Sequence, residues 1–132
     1  MKIDGRCHCG KITYEAEIDP ADVTICHCTD CQTLSGSAFR TVVPAKKESF
    51  RTTGEPRIYV KTAESGNRRV QAFCPECGTP IFATAVADPQ VYSVRLGTAR
   101  QRADLQPRQQ LWTRSALGWV MQAQTISALE KK

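Results

Sequence analysis

Seven cysteines in a chain of 132 residues fall into three groups: Cys7-His8-Cys9, Cys26-His27-Cys28-x-x-Cys31 and Cys74-Pro75-Glu76-Cys77-Gly78. Thiolates at such spacings suit zinc, and the two residues between Cys74 and Cys77 let both sulfurs converge on one ion about 2.3 Å away. Gly78 permits the left-handed turn that frees backbone N–H groups to face the sulfurs. An odd number of cysteines cannot pair completely within one chain, and the opening MKIDGRCHCG lacks the apolar core of a signal peptide. A cytoplasmic location is therefore expected, and a disulfide framework is not. The Cys74/Cys77 knuckle needs two more ligands, from the Cys7/Cys9 pair, from two of the middle three, or from a mixed set. If Cys7, Cys9, Cys74 and Cys77 close a four-thiolate site, Cys26, Cys28 and Cys31 remain with no cysteine to spare. Four thiolates make a closed structural site, whereas three with an open position make a reactive one. His8 and His27 each lie between two cysteines, so in extended backbone their side chains point away from the sulfurs. Both are expected behind the ligands or at the surface rather than on the metal.

The charge balance bears on the same residues. Lys and Arg number 18 against 13 Asp and Glu, a formal net charge of +5. Such an excess ordinarily prompts a search for an anionic partner. Seven thiolates on two Zn²⁺ ions subtract three charges, leaving about +2. The basic excess is then partly compensation for metal-thiolate charge.

The elements that must position these sulfurs are short strands. In Lys11–Ile18 the apolar Ile12, Tyr14, Ala16 and Ile18 alternate with Lys11, Thr13, Glu15 and Glu17, the period of a half-buried strand. A turn at Asp19–Asp22 follows, then strand-like runs at Ala38–Val43, Arg57–Thr62, Arg68–Phe73, Pro80–Ala85 and Val91–Leu96. Near the motifs only one stretch reads as helical: Thr29-Asp30-Cys31-Gln32 has capping-box spacing, and Gly36 can end the turn after it. The expected architecture is mainly β, built of short antiparallel strands with metal sites in the loops. Length and composition suit a single domain over residues 1–132, and no apolar run approaches the ~20 residues of a membrane span.

The segments RCHCGKITYEAE, CHCTDCQTLSGSAF and FCPECGTPIF, with a weaker LGT…QPRQQLW…GWV, resemble the glutathione-dependent formaldehyde-activating (GFA) family, which includes the centromere-protein-V type. The resemblance runs over roughly residues 5–120 in matching order. It implies an Mss4-like, β-tent fold with two zinc ions. Cys7, Cys9, Cys74 and Cys77 match the family's structural zinc, and Cys26, Cys28 and Cys31 its catalytic zinc. The implied activity is that of a carbon–sulfur lyase, combining glutathione reversibly with formaldehyde to give S-hydroxymethylglutathione. In one departure, Ala99-Arg100 follows Leu96-Gly97-Thr98 where the family often has an acidic residue, which bears on substrate identity.

An ion held by three thiolates has a net charge of −1, so it is a weak Lewis acid that can still keep a fourth thiol as a nucleophilic thiolate. A substrate sulfur at the open position would attack an aldehyde carbonyl. Asp30, His27 and Ser35 stand close enough in sequence to supply the proton. Ser35, Gly36 and Ser37 either end a helix or offer hydroxyls and N–H groups to a peptide-like ligand, two readings of equal weight. Arg95, Arg100, Arg102, Arg108 and Arg114 read mainly as a solvated face, with any of them open to a substrate carboxylate. Trp112 and Trp119 read as core residues rather than pocket walls. Two rival readings keep the zinc: the same site acting on a different carbon–sulfur substrate, or a zinc-stabilised binding module. Lacking a basic helix, a two-Cys, two-His finger and aromatics interleaved with Lys/Arg, the sequence argues against nucleic acid as the partner.

Overall fold

The computed structural model describes residues 1–132. In chain order the strands are β1 (Lys2–Arg6), β2 (Thr13–Glu17), β3 (Thr24–Cys26), β4 (Arg40–Lys46), β5 (Arg51–Thr53), β6 (Arg57–Thr62), β7 (Arg68–Phe73), β8 (Pro80–Ala85), β9 (Val91–Arg95) and β10 (Gln109–Leu111). One α-helix, α1 (Thr29–Ser35), and several 3₁₀ turns complete the chain. The protein is mainly β, and no helix is long and apolar enough to cross a membrane.

The strands form a three-stranded sheet, β1-β2-β5, and a seven-stranded sheet, β10-β3-β4-β9-β8-β7-β6. In β2 the alternation is realised: Ile12, Tyr14, Ala16 and Ile18 are buried, and Glu15 and Glu17 are exposed. Strands β6, β7 and β8 run over the expected residues. Strand β4 covers Arg40–Lys46 rather than Ala38–Val43, and β9 stops at Arg95 because Leu96 opens a 3₁₀ turn. The strands pair antiparallel as expected, save at one edge, where β10 pairs with β3 in parallel. Parallel neighbours need a long crossover, and most of the chain lies between these two.

One cross-strand row of the large sheet, Val43–Val94–Phe82–Ala72, faces the core and meets Ile3, Tyr14 and Ala16 of the small sheet. Phe50 joins the sheets by stacking on Tyr92 (4.6 Å between ring centroids) and Tyr14 (6.0 Å), with Phe82 edge-on at 5.1 Å. Because side chains alternate along a strand, the residues between these core positions point to the opposite face of the large sheet. The three-cysteine group lies on that face.

Trp112 and Trp119 do not pack in the core; they are 41% and 54% exposed. Strand β10 is only three residues long, and Trp112 breaks it with a left-handed backbone (φ 58). No sheet face remains to bury either ring. Arg114 instead lies over the Trp112 ring, 4.9 Å from its centroid.

Gly5, opposite Tyr14, has no room for a side chain: a Cβ there would overlap the Tyr14 ring and the Thr98 carbonyl. Gly5→Ala is expected to lower stability by about 1–3 kcal/mol, the usual cost of overpacking. Urea unfolding followed by tryptophan fluorescence checks this, and an unchanged midpoint would contradict the packing described.

Candidate metal centres

The sulfurs of Cys7, Cys9, Cys74 and Cys77 lie within 4.8 Å of one another, and those of Cys26, Cys28 and Cys31 form a second such group. The first group is built from two knuckles. In one, the Ile12 N–H donates to Cys7 Sγ (3.2 Å), and Gly10 takes a left-handed turn at φ 84. In the other, the Glu76 N–H donates to Cys74 Sγ (3.4 Å), and Gly78 turns at φ 77. The His8 N–H donates to Thr79 Oγ1 at 3.1 Å, tying the knuckles together. Sulfur separations of 3.6 Å (Cys7–Cys9) and 3.7 Å (Cys9–Cys74) are far too long for disulfides. They match the edge of about 3.8 Å that a tetrahedron with 2.3 Å zinc–sulfur bonds requires. Hydrogen bonding from the Thr79 hydroxyl holds the Cys77 thiol down to about 5.

The second group sits where β3 ends and α1 begins. Cys26 closes β3, Cys28 caps the helix, and Cys31 lies in its first turn. The capping box centred on Thr29 is displaced by one residue: Cys28 Sγ accepts the Cys31 N–H at 3.2 Å and takes the N-cap role. Gln32 Nε2 donates instead to the carbonyls of His27 (2.8 Å) and Ser115 (2.9 Å). The helix ends as expected at Gly36 (φ 64). The Cys31 thiol beside it holds Cys26 down to about 5, and that neighbour in turn pushes Cys31 up, with burial adding to the rise.

Neither histidine joins a sulfur group. His8 is exposed. His27 is 1% exposed, with Nε2 and Gln110 Oε1 2.6 Å apart, its ring edge-on to Phe39, and Nδ1 without a partner.

A cavity of about 410 Å³ opens beside the three sulfurs, on the outer face of the large sheet. Its floor is a set of registered pairs: Arg40 opposite Cys26, Arg95 opposite Val42, Gln71 opposite Ala83, and Arg69 opposite Lys61. Ser35, Gly36 and Ser37 are not among its lining residues. The Ser35 hydroxyl donates to the Gln32 carbonyl, and the N–H groups of Gly36 and Ser37 are used within the helix end. Asp30 is paired with Lys61 at 2.9 Å. Arg40, Lys61, Arg69 and Gln71 are cavity residues that sequence reasoning missed; their signal was a charged or amide side chain at the non-core positions of strands. Of the five arginines between residues 95 and 114, Arg95 alone lines this cavity. Arg114 pairs with Glu64, and Arg100 forms a bidentate pair with Asp4 (2.7 and 3.1 Å), holding that carboxyl down to about 2. The Ala99-Arg100 departure therefore docks on β1 beside a separate, larger groove of about 1230 Å³. That groove holds Asp4 and Glu15, which pair with its Arg100 and Arg51.

The sequence model of the glutathione-dependent formaldehyde-activating enzyme family matches residues 2–115. The chain belongs to this family. The match spans both sulfur groups and every strand of the two sheets. A crystal structure of a Rhodobacter sphaeroides protein has a similar fold, with a TM-score of 0.62 at 21% identity over 81% of this chain and 98% of that one.

Both sulfur groups of this family member have the donor chemistry for zinc. Metal analysis of the purified protein is expected to find about two zinc ions per chain, and about one in Cys74→Ser. Loss of the four-sulfur site should cost at least about 3 kcal/mol of stability, because metal binding there is coupled to folding. Retention of both ions in Cys74→Ser would contradict this.

Proposed function

We propose that residues 1–132 act as one two-zinc domain and that the protein is a carbon–sulfur lyase of the S-(hydroxymethyl)glutathione synthase type. It would add a small thiol such as glutathione reversibly to an aldehyde such as formaldehyde. Cys7, Cys9, Cys74 and Cys77 would hold the structural zinc, and Cys26, Cys28 and Cys31 the catalytic one. The observation that carries this reading is the inequality of the two groups. Four sulfurs close a tetrahedron by themselves, while three stand at a cavity wide enough for a small molecule. Family membership supports glutathione and formaldehyde as the reactants.

A zinc ion held by Cys26, Cys28 and Cys31 would leave a position open to a substrate thiol and would favour that thiol's ionised, nucleophilic form. The chain's own residues do the rest. The substrate sulfur bonds to the aldehyde carbon, the carbonyl π electrons move to oxygen, and that oxygen takes up the proton the thiol lost. The reverse direction breaks the same carbon–sulfur bond. Of the proton donors suggested by sequence, His27 is bonded to Gln110, and Ser35 to backbone carbonyls. Lys61, held by Asp30, lines the cavity and carries N–H donors that suit a developing alkoxide.

Cys28→Ala is expected to lose one zinc and more than about 100-fold in thiol–aldehyde turnover, since even residues behind a metal ligand cost 10–100-fold. Turnover is followed by NMR exchange between formaldehyde and the glutathione adduct. Loss of the metal with unchanged turnover would sink the mechanism.

A further inference from the structure

The cavity beside Cys26, Cys28 and Cys31 is walled by four cationic side chains, Arg40, Lys61, Arg69 and Arg95, and by no carboxylate. Asp30, just outside it, satisfies Lys61. No acid lies within ion-pair distance of Arg40, Arg69 or Arg95. Arg40 and Arg95 are only 6% and 9% exposed. The one acceptor either guanidinium reaches is Gln71 Oε1, at 2.7 Å from Arg95 Nη2 and 3.4 Å from Arg40 Nη1. Arg95 Nε is buried with no partner. Each guanidinium carries five N–H donors, so one shared amide oxygen leaves most of them without a partner in the chain, Arg95 Nε being the one that is fully buried. Burying two like charges in that condition is costly unless acceptors arrive from outside the chain.

We propose that Arg40 and Arg95, held side by side on Gln71, form a subsite for a carboxylate of a substrate whose sulfur sits at the three-cysteine group. The proposal rests on the thiol reading above and names the side chains that take a carboxylate of that thiol. The planar fork of a guanidinium matches a carboxylate in a way that a lysine ammonium does not. Charge points the same way. A divalent ion with three thiolates contributes −1, against +3 from Arg40, Arg69 and Arg95, and a bound thiolate and one carboxylate remove the excess. Cys26 and Arg40 are registered partners on β3 and β4, so the sulfur and carboxylate positions are adjacent on one face.

Calorimetric titration of the zinc-loaded full chain with 3-mercaptopropionate, 2-mercaptoethanol and propionate tests the subsite. 3-Mercaptopropionate is expected to bind at least about tenfold more tightly than 2-mercaptoethanol, as one charge-assisted contact provides. Equal affinity for the two thiols overturns the subsite and leaves the thiol reading standing. Propionate binding as tightly as 3-mercaptopropionate supports the subsite and overturns the thiol reading. Arg95→Gln should abolish the preference while 2-mercaptoethanol affinity and zinc content stay unchanged. An equal weakening of both thiols, or loss of a zinc, would mean that the arginines only balance the sulfurs, and would overturn the proposal. If Arg95→Gln fails to fold, the comparison of the two thiols on the unaltered chain decides alone.

Discussion

Four sulfurs must meet across a sequence gap: Cys9 and Cys74 are 65 residues apart in the chain and 3.7 Å apart in space. That constraint brings the loop after β1 onto the loop after β7. It seats the small sheet against the large one while the core between them stays modest, at 17 buried residues. The two knuckles join the sheets through their sulfurs and the His8–Thr79 bond, and the Phe50 stack with Tyr14, Phe82 and Tyr92 makes a second join.

With that join made, the large sheet is free to differ on its two faces. The core face is apolar and close-packed. The other face carries Arg40 on β4, Ser93 and Arg95 on β9, and Arg69 and Gln71 on β7, and a hydrogen-bonded ladder holds them more rigidly than a loop could. Helix α1 brings the sulfurs to one end of this floor, and the Lys61–Asp30 pair ties the helix to edge strand β6. The larger groove near β1 has more room, yet acids there meet Arg51 and Arg100, so two of its cations are already matched.

Much of this was legible in the sequence because it is local. Period-two alternation marked β2, and runs of β-branched and aromatic residues marked β6, β7 and β8. The CxC, CxCxxC and CPxCG spacings marked the sulfurs as metal ligands but left their pairing open, and the family resemblance divided them into four and three. What was not legible depends on pairing between distant strands. Arg69 and Gln71 were inside a strand read correctly, but only the register of β7 with β8, and of β4 with β3 and β9, brings them beside Cys26. Strands β1, β3, β5 and β10 are short or lack alternation and form by pairing with neighbours. Trp112 misled because aromatic character argues for burial, whereas the three-residue β10 leaves nothing for the ring to pack on.

Cys28 has two tasks on one atom. Its sulfur accepts the Cys31 N–H that starts α1, and it is also a member of the three-sulfur group. Capping needs only an acceptor of the right reach, which an aspartate oxygen supplies as well as sulfur does. Holding a soft ion needs polarisable sulfur, which oxygen does not supply. At this position the fold and the choice of metal are thus separable. A change from sulfur to oxygen would leave the helix start intact and turn the group toward harder cations.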